Sequence, residues 1–198
     1  MTDKRASKLN RSKLAALLFA LLLCVLMISG CAAKTDAEKK VAKELDALKT
    51  SESVGSEVSD IKKMLSDDGK DNFDAFLRKL RDFDYEMMGV EEEGDQATVT
   101  VRIKSYDFGR AYLAEWTDYL REHGDSLSGD DELAGFYEEL FARLAALDKK
   151  ESIKDVDIVC IKPLDNGEWI ANIKDNEQLQ DAVFGGMMSE MKSLAGEQ

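Results

Sequence analysis

The groups in this chain most able to do chemistry are three cysteines, one histidine and a large stock of carboxylates. Cys31 follows Ile28-Ser29-Gly30, a branched apolar residue and then two small ones. Small neighbours let an enzyme clasp extended backbone closely around the sulfur, so this thiol is placed for covalent modification. Cys24 lies inside an apolar run without small residues before it, and reads as passenger bulk. Cys160 sits in DVDIVCIKP, where alternation puts it on one strand face with Val156 and Ile158. That pattern predicts a buried structural thiol rather than a nucleophile. The single imidazole, His123, is far away in the polar stretch REHGD. Asp84 and Tyr85 are adjacent, but strand alternation sends neighbours to opposite faces. No H-E-x-x-H, G-x-S-x-G or phosphate loop occurs. The acidic stretch SDDGKDN (residues 66–72) lacks the register of a calcium loop and its closing glutamate, and reads as a helix-capping turn.

The surroundings of Cys31 give it a specific chemistry. Lys4, Arg5, Lys8, Arg11 and Lys13 open the chain against one acid, Asp3, and an apolar run follows from Leu14 to Ile28. A basic start, a short greasy middle and small residues at the end make the plan of an export signal. A spanning helix needs ~20 apolar residues to cross a core ~30 Å thick, and this run falls short. Ile28-Ser29-Gly30-Cys31 resembles the lipobox of bacterial lipoproteins. The resemblance implies a diacylglyceryl thioether on Cys31, cleavage between Gly30 and Cys31, and a further acyl chain such as palmitate on the new amino group. One acyl chain anchors only marginally, whereas two or three on one residue hold firmly. Residues 1–30 are then a removed signal peptide. The remainder is expected at the cell membrane, held by covalent lipid and facing outside the cytoplasm.

Loss of the leader removes five of 27 basic residues and one of 40 acidic ones, leaving 168 residues with a formal charge of −17. Such a charge excludes nucleic acid as a partner, because phosphates require Lys/Arg-rich surfaces. It also keeps the body off anionic headgroups, leaving the anchoring to lipid. Cys160 then has no cysteine to pair with inside the chain, so the domain must be held by its core.

The elements follow from hydrophobic period. Thr35-Asp36-Ala37-Glu38 reads as a capping box before Val41, Leu45 and Leu48 at helical spacing. Residues 31–53 are thus a tether and an N-terminal helix, set apart from a domain over 54–198. Helical patterns continue at Val54, Val58, Ile61 and Leu65, and at Phe73, Phe76, Leu77 and Leu80. The period then changes to two. Phe83, Tyr85 and Met87, the turn EEEGD, and Ala97, Val99, Val101 and Ile103 predict a hairpin whose second strand has one wet and one dry face. Helices return at Phe108–Tyr119 and Leu133–Leu144. A second hairpin is predicted from Val156, Ile158 and Cys160 to Trp169, Ala171 and Ile173, turning at Asn166-Gly167. A closing helix runs from Leu179 to Leu194, broken at Gly185-Gly186. Strands in antiparallel pairs between blocks of helix argue for an α+β domain: a curved antiparallel sheet of four strands packed against several helices.

This arrangement resembles small bacterial lipoproteins with a nuclear-transport-factor-2-like domain. The resemblance rests on Phe83 and Tyr85, on Gly94-Asp95-Gln96-Ala97-Thr98-Val99-Thr100-Val101, and on Gly167-Glu168-Trp169, and it covers residues 54–195. It implies a cone-like fold enclosing an apolar pocket; the long helical segment over 107–148 departs from the pattern. The pocket would take a small apolar ligand or an envelope protein against Tyr85, Met87, Val99, Val101 and Trp169, with no catalytic residue, metal or cofactor beyond the lipid. Two alternatives stay open. One is a cone-fold enzyme with a buried acid–base pair. The other is an interaction module that dimerises through the polar row Thr98, Thr100, Arg102 and Lys104.

Overall fold

The structure is a computed structural model and describes residues 34–51, 56–124, 129–164 and 167–196. The compact unit described below begins at Thr35. The leader, Cys24 and Cys31 therefore lie outside the described residues, as do Asp165 and Asn166 of the second turn.

The described residues fold as seven helices and one unclosed, curved antiparallel sheet of four strands. In order these are α1 (Asp36–Thr50), α2 (Ser56–Met64), α3 (Asp67–Arg81), β1 (Asp84–Glu93), β2 (Gln96–Ser105), α4 (Phe108–His123), α5 (Asp130–Ala146), β3 (Ser152–Ile161), β4 (Ile170–Ala171), α6 (Glu177–Val183) and α7 (Met187–Leu194). The spatial order is β1-β2-β3-β4, so β2 and β3 pair across both long helices.

Local chemistry accounts for the boundaries. Thr35 and Glu38 close the expected capping box, with Glu38 N–H donating to Thr35 Oγ1 at 3.2 Å and Thr35 N–H to Glu38 Oε2 at 2.7 Å. Ser66 caps α3 by accepting from Gly69 N–H, so the acidic SDDGKDN stretch is a helix start. The first hairpin turns through Gly94-Asp95, and Gly94 supplies the φ of 65° that the tight turn requires. A bulge between Met87 and Gly89 inserts Met88 and turns its side chain out to solvent.

β2 alternates as the sequence predicts. Ala97, Val99, Val101 and Ile103 are almost wholly buried, while Thr98, Thr100 and Arg102 are half-exposed and Lys104 exposed. The dry face is covered by α1. Ala37, Val41 and Leu45, four residues apart on one helical stripe, are each 0% exposed and join Val99, Val101, Ile158 and Cys160 in one core. α1, the N-terminal helix expected within residues 31–53, packs inside the compact unit that begins at Thr35. α6 completes this layer through Leu179 and Ala182. A second core, rich in aromatics, lies among α3, α4 and α5. There Phe73 meets Phe141 edge-on at 4.7 Å and Phe76 meets Phe108 at 5.2 Å.

The fourth strand is shorter than its pattern. Ile170 and Ala171 pair with β3, Asn172 N–H adds one more bond to Val159 O at 2.9 Å, and Ile173 N–H then turns back to Ala171 O at 3.0 Å and ends the ladder. Trp169 and Ile173 stay buried outside the strand. The break at Gly185-Gly186 has a steric cause. A Cβ at Gly185 would lie 1.9 Å from Tyr106 O, and both glycines hold positive φ, 55° and 86°.

If α1 is core rather than tether, Leu45→Ala should cost about 2–5 kcal/mol in urea unfolding. A loss within experimental error would show that the helix is only laid on the surface.

Candidate functional site

The five residues expected to line an apolar pocket are brought together in and against one packed core. Val99 and Val101 are 0% exposed beneath α1, and Trp169 is buried beside them with Lys162 Nζ 5.8 Å above its ring. Met87 and Tyr85 are half-buried at the margin of the same core. Tyr85 serves as a clasp, its hydroxyl donating to Asp46 Oδ1 at 2.8 Å and reaching Ala42 O at 3.3 Å, both on α1. Burial, and then the bond to Asp46 and its charge, push this phenol up to about 12. It therefore stays protonated and fixed.

The other groups capable of acid–base work are also committed. Tyr106 donates to Asp82 Oδ2 at 3.0 Å, and Lys150 Nζ lies 2.9 Å from the other oxygen of that carboxylate. Burial alone would raise Asp82, but these two bonds hold it below its ordinary value, opposite to what a general acid needs. Glu115 on α4 is 2% exposed and pairs with Arg143 Nε of α5 at 2.7 Å. Burial raises its pKa, Arg143 opposes this, and Glu139 adds to it. Glu115 lines none of the described cavities. His123 is exposed, with its ring 4.6 Å from that of Tyr119. Among the described residues no cluster of three His, Cys, Asp or Glu side chains is arranged to hold a metal ion.

A cavity with apolar lining lies at the rim of the sheet. An open groove of about 750 Å³ runs between the second half of α1 and the corner formed by β3, β4 and residues 172–175. Pockets of this volume are typical of small-molecule sites. Ala47 and Leu48 line it from α1, and Val159, Ile161, Ile170 and Ala171 from the strands. Ile170 is 54% exposed, Ile161 51% and Val159 45%. Polar groups border it: the Lys40–Glu44 pair at 2.8 Å, Asn172, Lys174 and Asp175.

Alternation in β3, read through Val156, Ile158 and Cys160, correctly gives the buried face. It passes over Val159 and Ile161, which make Ile158-Val159-Cys160-Ile161 an unbroken apolar run. Such a run marks a strand apolar on both faces, and that is the signal by which the groove could have been found.

Cys160 is fully buried, and burial, then the charge of Glu92, pushes its thiol up to about 11. At pH 8 it should resist alkylation in the folded protein and react only on unfolding. Because folding raises this pKa, the folded state retains the proton longer than the unfolded one. The contribution of Cys160 to stability is therefore complete below the unfolded pKa and falls as pH climbs toward about 11. Rapid native alkylation would contradict the burial.

No family model matches the chain, and no curated protein matches it. A solved structure similar to it is that of a "putative lipoprotein (ycdA)" from Bacillus subtilis, with a TM-score of 0.44 and 14% identity. The match covers 75% of this chain and 55% of that one, so the chain spans little more than half that protein's length.

Proposed function

We propose that the protein is a lipid-anchored, extracytoplasmic bacterial lipoprotein whose domain binds an apolar ligand, or an apolar segment of an envelope protein, without catalysing a reaction on it. The address rests on the sequence: a basic start, a short apolar run and Ile28-Ser29-Gly30-Cys31. Among the described residues no helix is long and apolar enough to cross a membrane. Cys31 would carry the diacylglyceryl thioether, with residues 1–30 removed. The relation to nuclear-transport-factor-2-like lipoproteins is part of this proposal and rests on the two hairpin motifs.

The binding reading is carried by one observation, the rim groove with Leu48, Val159, Ile161 and Ile170 at 36–54% exposure. Four large aliphatic side chains converging on one open concavity are what an apolar ligand needs. The pocket thus moves from the dry face, where Val99 and Val101 meet α1, to the outside of the sheet corner.

Two measurements test these parts separately. Wild-type protein labelled in cells with radioactive palmitate should carry the label and lack its leader, while Cys31→Ser should carry none. Labelled protein from the variant would refute the anchor. In the native protein, a photoreactive alkyl diazirine should leave its adducts on Leu48, Val159, Ile161 and Ile170. Adducts spread evenly over other exposed apolar side chains, such as Met191 and Leu194, would refute the groove.

A further inference from the structure

We infer that the occupant of this corner is a cationic amphipathic peptide segment, the docking part of an envelope protein. The inference rests on the groove reading above and goes further by naming the chemistry of the partner.

The outer face of the sheet is uncovered along its length, its side chains exposed or half-buried on all four strands. Pairing sets its rows. Glu93, Gln96, Ile161 and Ile170 lie side by side, and Glu91, Thr98 and Val159 form the next row. Aliphatic groups therefore occupy β3 and β4, neutral polar groups β2, and acids β1. At a strand spacing of ~4.8 Å, the acids stand about 10 Å from the aliphatics of β3 and about 14 Å from Ile170 on β4.

The acids on this face are not equivalent. Asp155 is held by Arg102 through two bonds of 2.8 and 2.9 Å, Asp157 accepts from Thr100 at 2.7 Å, and Asp84 pairs with Lys150 at 3.1 Å. Glu91 and Glu93 are exposed and have no hydrogen bond or ion pair among the described residues. Glu86, farther along the same face, lies opposite Arg102 and near the exposed Lys104, so Glu91 and Glu93 are the acids on this face that have neither a cation nor a hydrogen bond across the ladder and that stand beside the aliphatic patch. A purely apolar ligand would leave those charges unused, and they would repel an anionic one from the β1 side, although Lys40 and Lys174 border the groove elsewhere. A peptide with an apolar stripe on Val159, Ile161 and Ile170 and Lys or Arg stems extended toward Glu91 and Glu93 satisfies both.

The test uses full-length lipidated protein in nanodiscs of zwitterionic lipid, with empty discs as reference and a short fluorescent Leu/Lys peptide as probe. Glu91→Lys with Glu93→Lys should weaken binding about tenfold. Asp68→Lys with Asp71→Lys, the same charge change on exposed α3 positions, should alter it by less than about twofold if the effect is local. Ile161→Asp with Ile170→Asp should again weaken it about tenfold. Equal losses from both pairs of acid reversals, equal binding of a Leu/Glu peptide, or pairing of two protein copies through this corner would overturn the inference. Failure of the Leu/Lys peptide to bind while the alkyl diazirine still labels the groove overturns the inference alone. Failure of both removes the groove reading as well.

Discussion

A four-stranded sheet with one apolar face must have that face covered, and here the cover is the stripe Ala37, Val41 and Leu45 of α1. The small residue at its start lets the helix approach closely, and the two larger ones sink between the rows of Val99, Val101, Ile158 and Cys160. Three separate features hold the helix in place: the capping box that starts it, the Tyr85 hydroxyl on Asp46 and Ala42, and the burial of the stripe itself. Of these, burial contributes most, since each aliphatic side chain removed from water is worth about 1.5–3 kcal/mol and an exposed polar contact much less. The consequence for function is geometric. A sheet face filled by its own chain leaves no room for a ligand there, and the binding site proposed above lies at the rim that α1 leaves open.

The remainder of the molecule is arranged around this cover. The end of β2 passes directly into the aromatic core through Tyr106 and Phe108, while Ser105 donates to Ala182 O at 2.7 Å and ties α6 to the same strand. Gly185 lets the chain cross against Tyr106 O where any side chain would collide. One β-strand thus joins a sheet-and-helix layer to a three-helix layer, with few polar groups buried at the joint. In the second layer the buried Glu115 pairs with the half-exposed Arg143 and links α4 to α5; a buried carboxylate that keeps its partner fixes how the two helices meet more than it adds stability.

Much of this was legible in the sequence, for a physical reason. Period two in Ala97–Ile103 and period 3.6 in Phe108–Tyr119 record which side of each element meets water: the structure buries the apolar residues of the first, buries Phe108 and Tyr119, and half-buries Tyr112 and Trp116. Cys160 and the Ser66 turn were readable from their immediate neighbours. What was not legible depends on tertiary placement. Nothing local to Val41 and Leu45 says which surface their stripe will cover, so α1 read as a separate helix. Nothing local to β2 says that its second neighbour will be β3, from beyond both long helices. Trp169, Ala171 and Ile173 alternate like a full strand, yet a single backbone turn at Ile173 shortens β4 to two residues. The groove itself was half visible, in an apolar run on β3 that alternation alone could not explain.

The account depends on α1 being a fixed cover and not a lid over an internal pocket, and native-state hydrogen exchange separates the two directly. If α1 is core, the amides of Val41 and Leu45 will exchange only with global unfolding, at the same free energy as those of Val99 and Val101 in β2. If those α1 amides instead exchange orders of magnitude faster while β2 stays protected, the helix opens on its own, and the dry face becomes a binding pocket after all.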